Sequence, residues 1–326
     1  MNSLSILTDR TEVYLVTPTE YDFGRYLAAK KQIDDGALNR NVLDKLRAQL
    51  RQTNTHSPLR VLELGAGIGT MVERMVDWGL LISAKYTAID ADQGLLQEAY
   101  VRLNRWAAGR GFKSQGHPTA TLKFEGPSGQ LSLNFECTDI ERCFERPGGD
   151  GQWDFGLAHA FMDLVDPADV VPRFCRLIRP GGLLYLTLNY DGETILLPSI
   201  DREFEMRVMQ LYNQSMDDRV IHGKKAGDSQ TGRHLFLHLK NSGAEILAAG
   251  SSADWVVFPR SDGYNEYESY FLHFIVHTIF KELKGHDSLD RRRFGSWVAQ
   301  RHAQIEKGEL IFIAKQMDVL ARISGG

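Results

Sequence analysis

Apolar residues in the central part of the chain follow two alternating patterns. Short continuous apolar segments, which predict buried strands, lie at residues 60–64, 86–90, 153–160 and 183–189. Segments with apolar residues three and four positions apart, which predict helices, lie at residues 37–52, 69–80, 92–108 and 167–178. This alternation predicts βαβ units around a mainly parallel sheet.

Other segments extend this pattern. Residues 120–139 alternate apolar and polar positions on both sides of a Gly-Pro-Ser-Gly turn at 126–129, which predicts a hairpin whose second arm is the third core strand. Residues 232–241 predict a helix, and a strand follows at 244–250 or at 253–258. Residues 309–320 predict the last strand.

Two long stretches exceed the minimal repeat, at about residues 193–231 and 259–307. The first predicts a helix and a loop rich in Gly, Lys and Asp, and the second an aromatic helix and a shorter basic one. Ligands of open α/β sheets bind at the carboxyl ends of the strands, so we expect both insertions to form a lid there. The predicted organisation is an N-terminal helical cap segment at 1–57 and a ligand-binding domain at 58–326.

The composition of the chain argues against some classes of binding partner. The 326 residues are 43% hydrophobic and 25% charged, with a net charge of −4, as in ordinary globular proteins. Clustered Lys and Arg, which favour nucleic acids and anionic membranes, do not dominate any surface pattern. No apolar run approaches the roughly 18 residues needed to cross a bilayer. We therefore expect no nucleic-acid partner and no membrane partner.

The cysteines and the N-terminus indicate the compartment. The three cysteines, Cys137, Cys143 and Cys175, are odd in number and have no C-x-x-C spacing, so we expect reduced thiols. The first ten residues lack a basic start followed by an apolar core, which argues against a secretory signal. These features predict a cytoplasmic protein.

The most specific motif is the glycine loop Val61-Leu-Glu-Leu-Gly-Ala-Gly-Ile-Gly-Thr70, in which a buried strand enters a helix. Glycines allow a ligand to approach the backbone, and the helix N-terminus adds oriented N–H groups. The spacing is G-x-G-x-G and differs from the dinucleotide pattern G-x-G-x-x-G. Glu63 would oppose a diphosphate and suits a cationic or amine-bearing ligand.

Carboxylates also follow the next two strands. Asp90 ends the second strand, where it can accept both hydroxyls of a ribose. Asp139 ends the third strand, where it can accept from an adenine amino group. Alternatively, each aspartate caps the helix that follows it. The ordered set of three acidic residues with the glycine loop favours a nucleoside-binding site.

The segments E-L-G-A-G-I-G-T, A-I-D-A, C-T-D-I and R-P-G-G resemble the class I S-adenosylmethionine (SAM)-dependent methyltransferases over residues 58–190 and at a closing strand. The resemblance implies a doubly wound, Rossmann-like seven-stranded sheet, mostly parallel with an antiparallel last strand, and SAM as the cofactor. The implied cofactor-binding residues are Glu63, Gly65, Ala66, Gly67, Gly69, Thr70, Asp90, Ala91, Asp139, Ile140 and His159.

In many members of this family an N-terminal segment closes over the cofactor. Tyr21, Arg25 and Tyr26 could do so here, with Arg25 pairing the SAM carboxylate. The alternative is that these residues belong to a simple surface helix.

Methyl transfer from a sulfonium is an in-line displacement that mainly requires alignment and exclusion of water. A base is needed only for an acceptor that is protonated at neutral pH. The catalytic candidates are His159 and Asp163 after the fourth strand and Tyr190 after the fifth. The alternatives are that His159 hydrogen-bonds the backbone, that Asp163 is the N-cap of a short turn and that Tyr190 packs at the surface. An N-P-P-Y-type signature is missing, which argues against methylation of nucleic-acid amines.

Candidate substrate contacts come from the insertions. They are Arg233, which could clamp an acceptor carboxylate, with His234, Tyr264 and Tyr267. The insertions also hold His222 and histidine pairs four residues apart, but neither pair has the H-E-x-x-H glutamate, so we predict no metal site.

These features predict a methyltransferase that transfers the SAM methyl group to an oxygen or nitrogen of a small, possibly carboxylated metabolite. The sequence leaves its oligomeric state open. The alternatives are a protein or peptide methyltransferase, a non-catalytic interaction protein with the same fold, and a dinucleotide oxidoreductase. Thr70 and Glu63 disfavour the oxidoreductase.

Overall fold

The computed structural model describes residues 17–52, 58–116, 121–126, 129–146, 148–221, 223–251 and 254–325. The first sixteen residues of the predicted cap segment, its last residues 53–57, the centre of the predicted hairpin turn and His222 lie outside these ranges.

Ten α-helices lie in the described ranges. They are α1 (Phe23–Ala37), α2 (Arg40–Gln52), α3 (Thr70–Asp77), α4 (Gln93–Gly109), α5 (Ile140–Phe144), α6 (Pro167–Leu177), α7 (Arg202–Asp217), α8 (Thr231–Asn241), α9 (Glu266–Leu283) and α10 (Arg291–Glu306). A short 3₁₀ helix, Met162–Leu164, follows the strand that precedes α6. None of the described helices is both long and apolar enough for a membrane span.

Twelve strands lie in the same ranges. They are β1 (Leu59–Leu64), β2 (Ser83–Asp90), β3 (Lys113–Gln115), β4 (Thr121–Gly126), β5 (Gly129–Cys137), β6 (Trp153–His159), β7 (Ile178–Leu197), β8 (Val220–Ile221), β9 (Lys224–Lys225), β10 (Ala244–Ser251), β11 (Trp255–Val257) and β12 (Ile311–Ile323).

The main sheet has the strand order β10-β12-β7-β6-β1-β2-β5-β4-β3, and β11 pairs with β12 beside this path. Strands β5, β2, β1, β6 and β7 are parallel, whereas β12 runs antiparallel to both β7 and β10. This confirms the predicted doubly wound, mostly parallel sheet with an antiparallel last strand. The strand count is higher than seven because β3 and β4 extend one edge and β11 lies beside β12 at the other.

Local chemistry explains several of the boundaries. The predicted helix at 37–52 overlaps the end of α1 and the whole of α2, because the extended ψ of Leu38 ends α1. The Asn39 side chain then accepts from the Val42 N–H at 3.1 Å and caps the start of α2. Asp166 caps α6, which begins with Pro167 at a position where the missing N–H costs nothing. Asn265 and Glu268 form a capping box at the start of α9.

Strand β7 differs most from the prediction. Residues 179–182 do not form a separate turn: the pairing with β6 jumps from Trp153–Ile178 to Phe155–Leu183, which makes them a bulge inside the strand. The strand also continues to Leu197 because β12 pairs with it as far as that residue. The sheet therefore projects beyond the other parallel strands on its carboxyl side.

The hydrophobic residues form separate cores around this sheet. One core packs α2, α3 and α4 against one face, and a second packs α6 and α8 against the other. A third lies around the projecting half of β7 and contains side chains of α1, α7, α9 and α10. The helices of both insertions thus lie on the carboxyl side of the sheet, and their action as a lid stays a prediction.

Candidate functional site

A cavity of about 1110 Å³ lies at the carboxyl ends of β1, β2, β5 and β6. Its walls come from the glycine loop, the segments after β2 and β5, the 160–170 segment, helix α1 and the β8–β9 hairpin. The position agrees with the rule that open α/β sheets bind ligands at this edge. Of the predicted cofactor residues, those on the wall are Glu63, Gly65, Ala66, Gly67, Thr70, Asp90, Ala91, Asp139, Ile140 and His159.

Two glycines of the glycine loop have no room for a side chain. Gly65 has φ +69°, and a Cβ there would lie 2.2 Å from the ring of Phe161. Gly67 has φ +53°, and its Cβ would lie 3.1 Å from a methyl group of Leu27. The backbone therefore faces the cavity between two apolar side chains.

Gly69 does not line the cavity, which corrects its predicted role. A Cβ at this residue would lie 2.9 Å from a methyl group of Leu103 on α4. Its φ of +76° places it immediately before α3. The third glycine therefore allows α3 and α4 to pack closely.

Asp90 and Asp139 both reach the cavity, by different local arrangements. Asp90 accepts from the backbone N–H groups of Gly67 at 2.8 Å and Asp92 at 2.9 Å, so it holds the glycine loop against the end of β2. It does not cap α4, because Asp92 does. Asp139 caps α5 through the Arg142 N–H at 2.9 Å and still lines the cavity, so capping and binding are compatible there.

Glu63 lies at the floor of the cavity with about 1% of its surface exposed. Its carboxyl group accepts from the hydroxyl of Tyr86 at 2.6 Å. Burial raises the pKa of Glu63 to about 8, because desolvation disfavours the charged form more than Tyr86 and the nearby Arg74 favour it. The group is therefore mainly protonated at neutral pH until a cation approaches it.

Helix α1 contributes a face that the sequence reasoning missed. Phe23, Leu27, Lys30 and Asp34 line the cavity, and their spacing of four, three and four residues places them on one side of the helix. The spacing is visible in the sequence. The charges of Lys30 and Asp34, however, give no reason to expect this pair to be buried. Only the tertiary structure shows that Lys30 and Asp34 are buried, whereas Phe23 at the start of the same face is exposed.

A buried ionic network fixes α1 to the glycine-loop helix. Asp34 accepts from Lys30 Nζ at 2.8 Å and from Arg74 Nη2 at 3.3 Å, and its other oxygen accepts from Trp255 Nε1 at 3.0 Å. Arg74 also donates to Asp35 at 2.5 Å. Despite its burial, the cationic neighbours, above all Lys30, hold the pKa of Asp34 well below its usual value. The network joins α1, α3 and β11.

His159 belongs to this network. Its Nε2 lies 3.0 Å from Arg74 Nη1 and 3.1 Å from Asp34 Oδ2, and its Nδ1 lies 2.8 Å from Thr187 Oγ1. Burial, followed by the charge of Arg74, lowers the pKa of His159 to about 4, so the ring is neutral near pH 7. Both nitrogens are engaged, which argues against the predicted role as a base and leaves a contact on the cavity wall.

Tyr190 and Asp163, the other catalytic candidates, do not line the cavity. The Tyr190 hydroxyl donates to Asn213 Oδ1 at 2.9 Å and lies 3.1 Å from Thr194 Oγ1, so it closes a local hydrogen-bond set in the third core. Asp163 has a buried oxygen without a partner among the described residues, and burial raises its pKa.

The predicted substrate contacts also lie elsewhere. Arg233 pairs with Asp191 at 2.8 Å, and His234 Nδ1 lies 3.0 Å from an Asp228 oxygen. The Tyr264 hydroxyl donates to the Leu310 carbonyl, and Tyr267 is 56% exposed on α9. These side chains are engaged with nearby groups or with solvent, so their predicted role does not apply to this cavity.

Tyr21 and Arg25 are displaced from the cavity as well. The Tyr21 ring stacks on His277 with centroids 4.0 Å apart. Arg25 pairs with Glu266 at 3.2 Å and lies over the ring of Tyr270. They connect the start of α1 to α9. The cation that α1 presents to the cavity is Lys30, five residues beyond the expected Arg25.

The described residues contain no group of three or more His, Cys, Asp or Glu side chains arranged to hold a metal ion. The polar side chains on the cavity wall include carboxyl groups at separate strand ends and the cations Lys30, Lys224 and Lys225. They suit an organic ligand with several hydrogen-bonding groups.

Known proteins were compared with the chain in sequence and in structure. No protein-family model matches the chain. The chain is 26% identical over 166 residues to a ubiquinone biosynthesis O-methyltransferase of Thiobacillus denitrificans, a match that covers 49% of this chain and 59% of that relative. It thus spans about three-fifths of the relative's length.

Two solved structures are also similar. The YcgJ protein of Bacillus subtilis has a TM-score of 0.46 and 12% identity, over 87% of this chain and 99% of that one. A SAM-dependent methyltransferase of Methanosarcina mazei has a TM-score of 0.46 and 12% identity, over 85% and 98% of the two chains.

The fold itself defines the class. The core strand order β5-β2-β1-β6-β7-β12-β10, with β12 antiparallel, accompanies a glycine loop and carboxylates at the ends of three adjacent strands. This is the fold of the class I SAM-dependent methyltransferases, which confirms the predicted resemblance.

Proposed function

We propose that the chain is an enzyme that transfers the methyl group of SAM to a small organic acceptor in this cavity. The observation that carries the proposal is the convergence of Glu63, the Gly65–Gly67 turn, Asp90 and Asp139 on one cavity. When bound, SAM would supply an activated methyl group on a sulfonium. The relative from Thiobacillus denitrificans is an O-methyltransferase, which favours oxygen as the accepting atom.

The wall residues suit the separate parts of this cofactor. Asp90 has lone pairs left for ribose hydroxyls after accepting two backbone N–H groups. Asp139 and Ile140 would hold the adenine, and the turn at Gly65 and Gly67 would face the methionine part. We assign the methionine carboxylate to Lys30, the cation that α1 places on the wall.

The protein contribution to the reaction is then alignment and exclusion of water. His159 cannot accept a proton readily because its two nitrogens are engaged and its pKa is lowered to about 4. Residues of helix α1 and of the β8–β9 hairpin add walls to the cavity beyond the strand ends, which supports a small acceptor rather than a protein segment. Holding an acceptor atom in line with the methyl group supplies most of the required rate enhancement.

Asp90→Asn tests the proposal directly. We expect binding of SAM and of its product S-adenosylhomocysteine to weaken roughly ten- to hundredfold, because a hydrogen bond to a charged group contributes about 1.5–3 kcal/mol. Isothermal titration calorimetry gives both affinities. Asp44→Asn, on the exposed side of α2, is the matched control and should bind like the wild type.

Absence of binding to either compound by the wild-type protein would refute the proposed function. If SAM binds, transfer of label from methyl-labelled SAM into a cell extract, with the product identified by mass spectrometry, would identify the acceptor.

Cofactor binding is also expected to release a proton from Glu63. The free protein holds this proton at pH 7, since its pKa is raised to about 8. A cationic ligand lowers that pKa, so affinity should rise with pH from about 5 to 8 and level off above 8. Calorimetry at pH 7 in phosphate and in Tris, whose ionisation enthalpies differ, measures the release. Glu63→Gln, which stays neutral, should release none; equal release by both proteins would contradict the assignment.

A further inference from the structure

Exposed apolar side chains converge at the mouth of the cavity. Phe23 is 49% exposed, Leu164 40% and Ile221 39%, and all three line the cavity. They come from three separate segments: α1, the 3₁₀ helix after β6 and the hairpin strand β8. Isolated exposed apolar residues are ordinary, whereas convergence of several at one opening marks a binding surface. We call these three residues the apolar rim.

The apolar rim shares its cavity with apolar side chains that border the glycine loop. Phe161 lies against Gly65, Leu27 lies against Gly67, and both side chains line the same cavity as the rim. Val165 adds to this wall just after Leu164. An apolar path therefore leads from the turn assigned to the methionine part of the cofactor out to the surface.

We infer that the methyl acceptor carries an extended apolar portion, an alkyl chain or ring system, which lies along this path and rests on Phe23, Leu164 and Ile221. The inference rests on the proposed function, since it places the acceptor beside the cofactor. The path begins where a transferable methyl group would lie and ends at a surface that is otherwise costly to leave in water. A fully polar acceptor would leave these side chains uncovered.

The chain provides a matched control for each rim residue. Phe258, Leu237 and Ile82 are 52%, 60% and 59% exposed, and the cavity wall does not include them. A rim triple variant, Phe23→Ser, Leu164→Ser and Ile221→Ser, can thus be compared with a control triple variant, Phe258→Ser, Leu237→Ser and Ile82→Ser. Both remove the same three side-chain types from exposed positions.

The test titrates 1-hexanol, 1-octanol and 1-decanol into protein saturated with S-adenosylhomocysteine. Each CH₂ group that is buried should strengthen binding about fourfold, since burial of one such group contributes about 0.8 kcal/mol. The wild type and the control triple variant should show this dependence on chain length. The rim triple variant should lose at least tenfold in affinity for 1-decanol while it binds S-adenosylhomocysteine normally.

Binding without dependence on chain length, or equal binding by the two triple variants, would overturn the inference. So would a rim triple variant that changes the oligomeric state while the wild type binds none of the alcohols, because the rim would then contact a second copy of the chain. Failure of the wild type to bind S-adenosylhomocysteine would instead remove the proposed function.

Discussion

Asp34→Ala is expected to destabilise the protein by about 3–5 kcal/mol, the cost typical of removing one partner from a buried ion pair. Asp34 is 2% exposed and Arg74 1%, and Lys30 is buried beside them. Without the carboxylate, the nearly buried Lys30 ammonium and Arg74 guanidinium would lose the partner that they share. Urea unfolding followed by circular dichroism measures the change.

Asp44→Ala is the control for this effect. Asp44 also lies on a helix and pairs with Arg47 three residues on, but its side chain is 69% exposed. Exposed pairs contribute about 0–1 kcal/mol, so this variant should unfold almost like the wild type. Equal losses in the two variants would show that the network does not fix α1.

The same network sets a pH dependence. The pKa of Asp34 lies below its unfolded value, so its contribution is fully present above about pH 4 and is lost as the pH falls further. The pKa of His159 is lowered to about 4, so the unfolded chain takes up its proton first and stability also decreases between about pH 6.5 and 4. Both effects destabilise the protein in acid.

Gly65→Ala is expected to abolish measurable cofactor binding, a loss of at least about a hundredfold. An alanine here would have to keep the left-handed backbone conformation, which costs about 1–2 kcal/mol. Its Cβ would also lie 2.2 Å from the ring of Phe161. The turn or the ring must move, and either movement changes the wall that faces the ligand. Calorimetric titration with S-adenosylhomocysteine measures the loss.

Gly79→Ala separates conformational strain from the clash. Gly79 has φ +66°, close to the +69° of Gly65, but a Cβ there would meet no atom within 4 Å. This variant should lose about 1–2 kcal/mol of stability and bind normally. The double variant Gly65→Ala, Phe161→Ala should recover part of the binding. If Gly65→Ala binds like Gly79→Ala, the turn does not contact the cofactor.

The sequence predicted the sheet well because the parallel strands are continuous apolar segments and the glycine loop follows the first of them. Asp90 and Asp139 could be placed for the same reason, since parallel strands bring their carboxyl ends to one edge. The boundaries of α3, α4, α6 and α8 lie within a few residues of those expected. The extension of β7 to Leu197 could not be predicted, because it depends on pairing with β12, more than a hundred residues away.

Predictions for side chains outside the strand ends were less successful. The chemical types of Tyr21 and Arg25 suit contacts with a cofactor, but the rotation of α1 turns Lys30 and Asp34 to the cavity. Arg233 has the charge for an acceptor carboxylate, but Asp191 lies within 3 Å of it. A charged side chain in the sequence does not reveal its partner, because that partner comes from another element.

The sequence by itself determined the class of fold and the strand-end residues of the cavity, because these follow from local hydrophobic patterns and from the geometry shared by parallel strands. Only the tertiary structure decided the face of α1, the engagement of His159 and the convergence of Phe23, Leu164 and Ile221. These depend on contacts between segments that are distant in the chain, and the free energies of such contacts are not encoded in any local pattern.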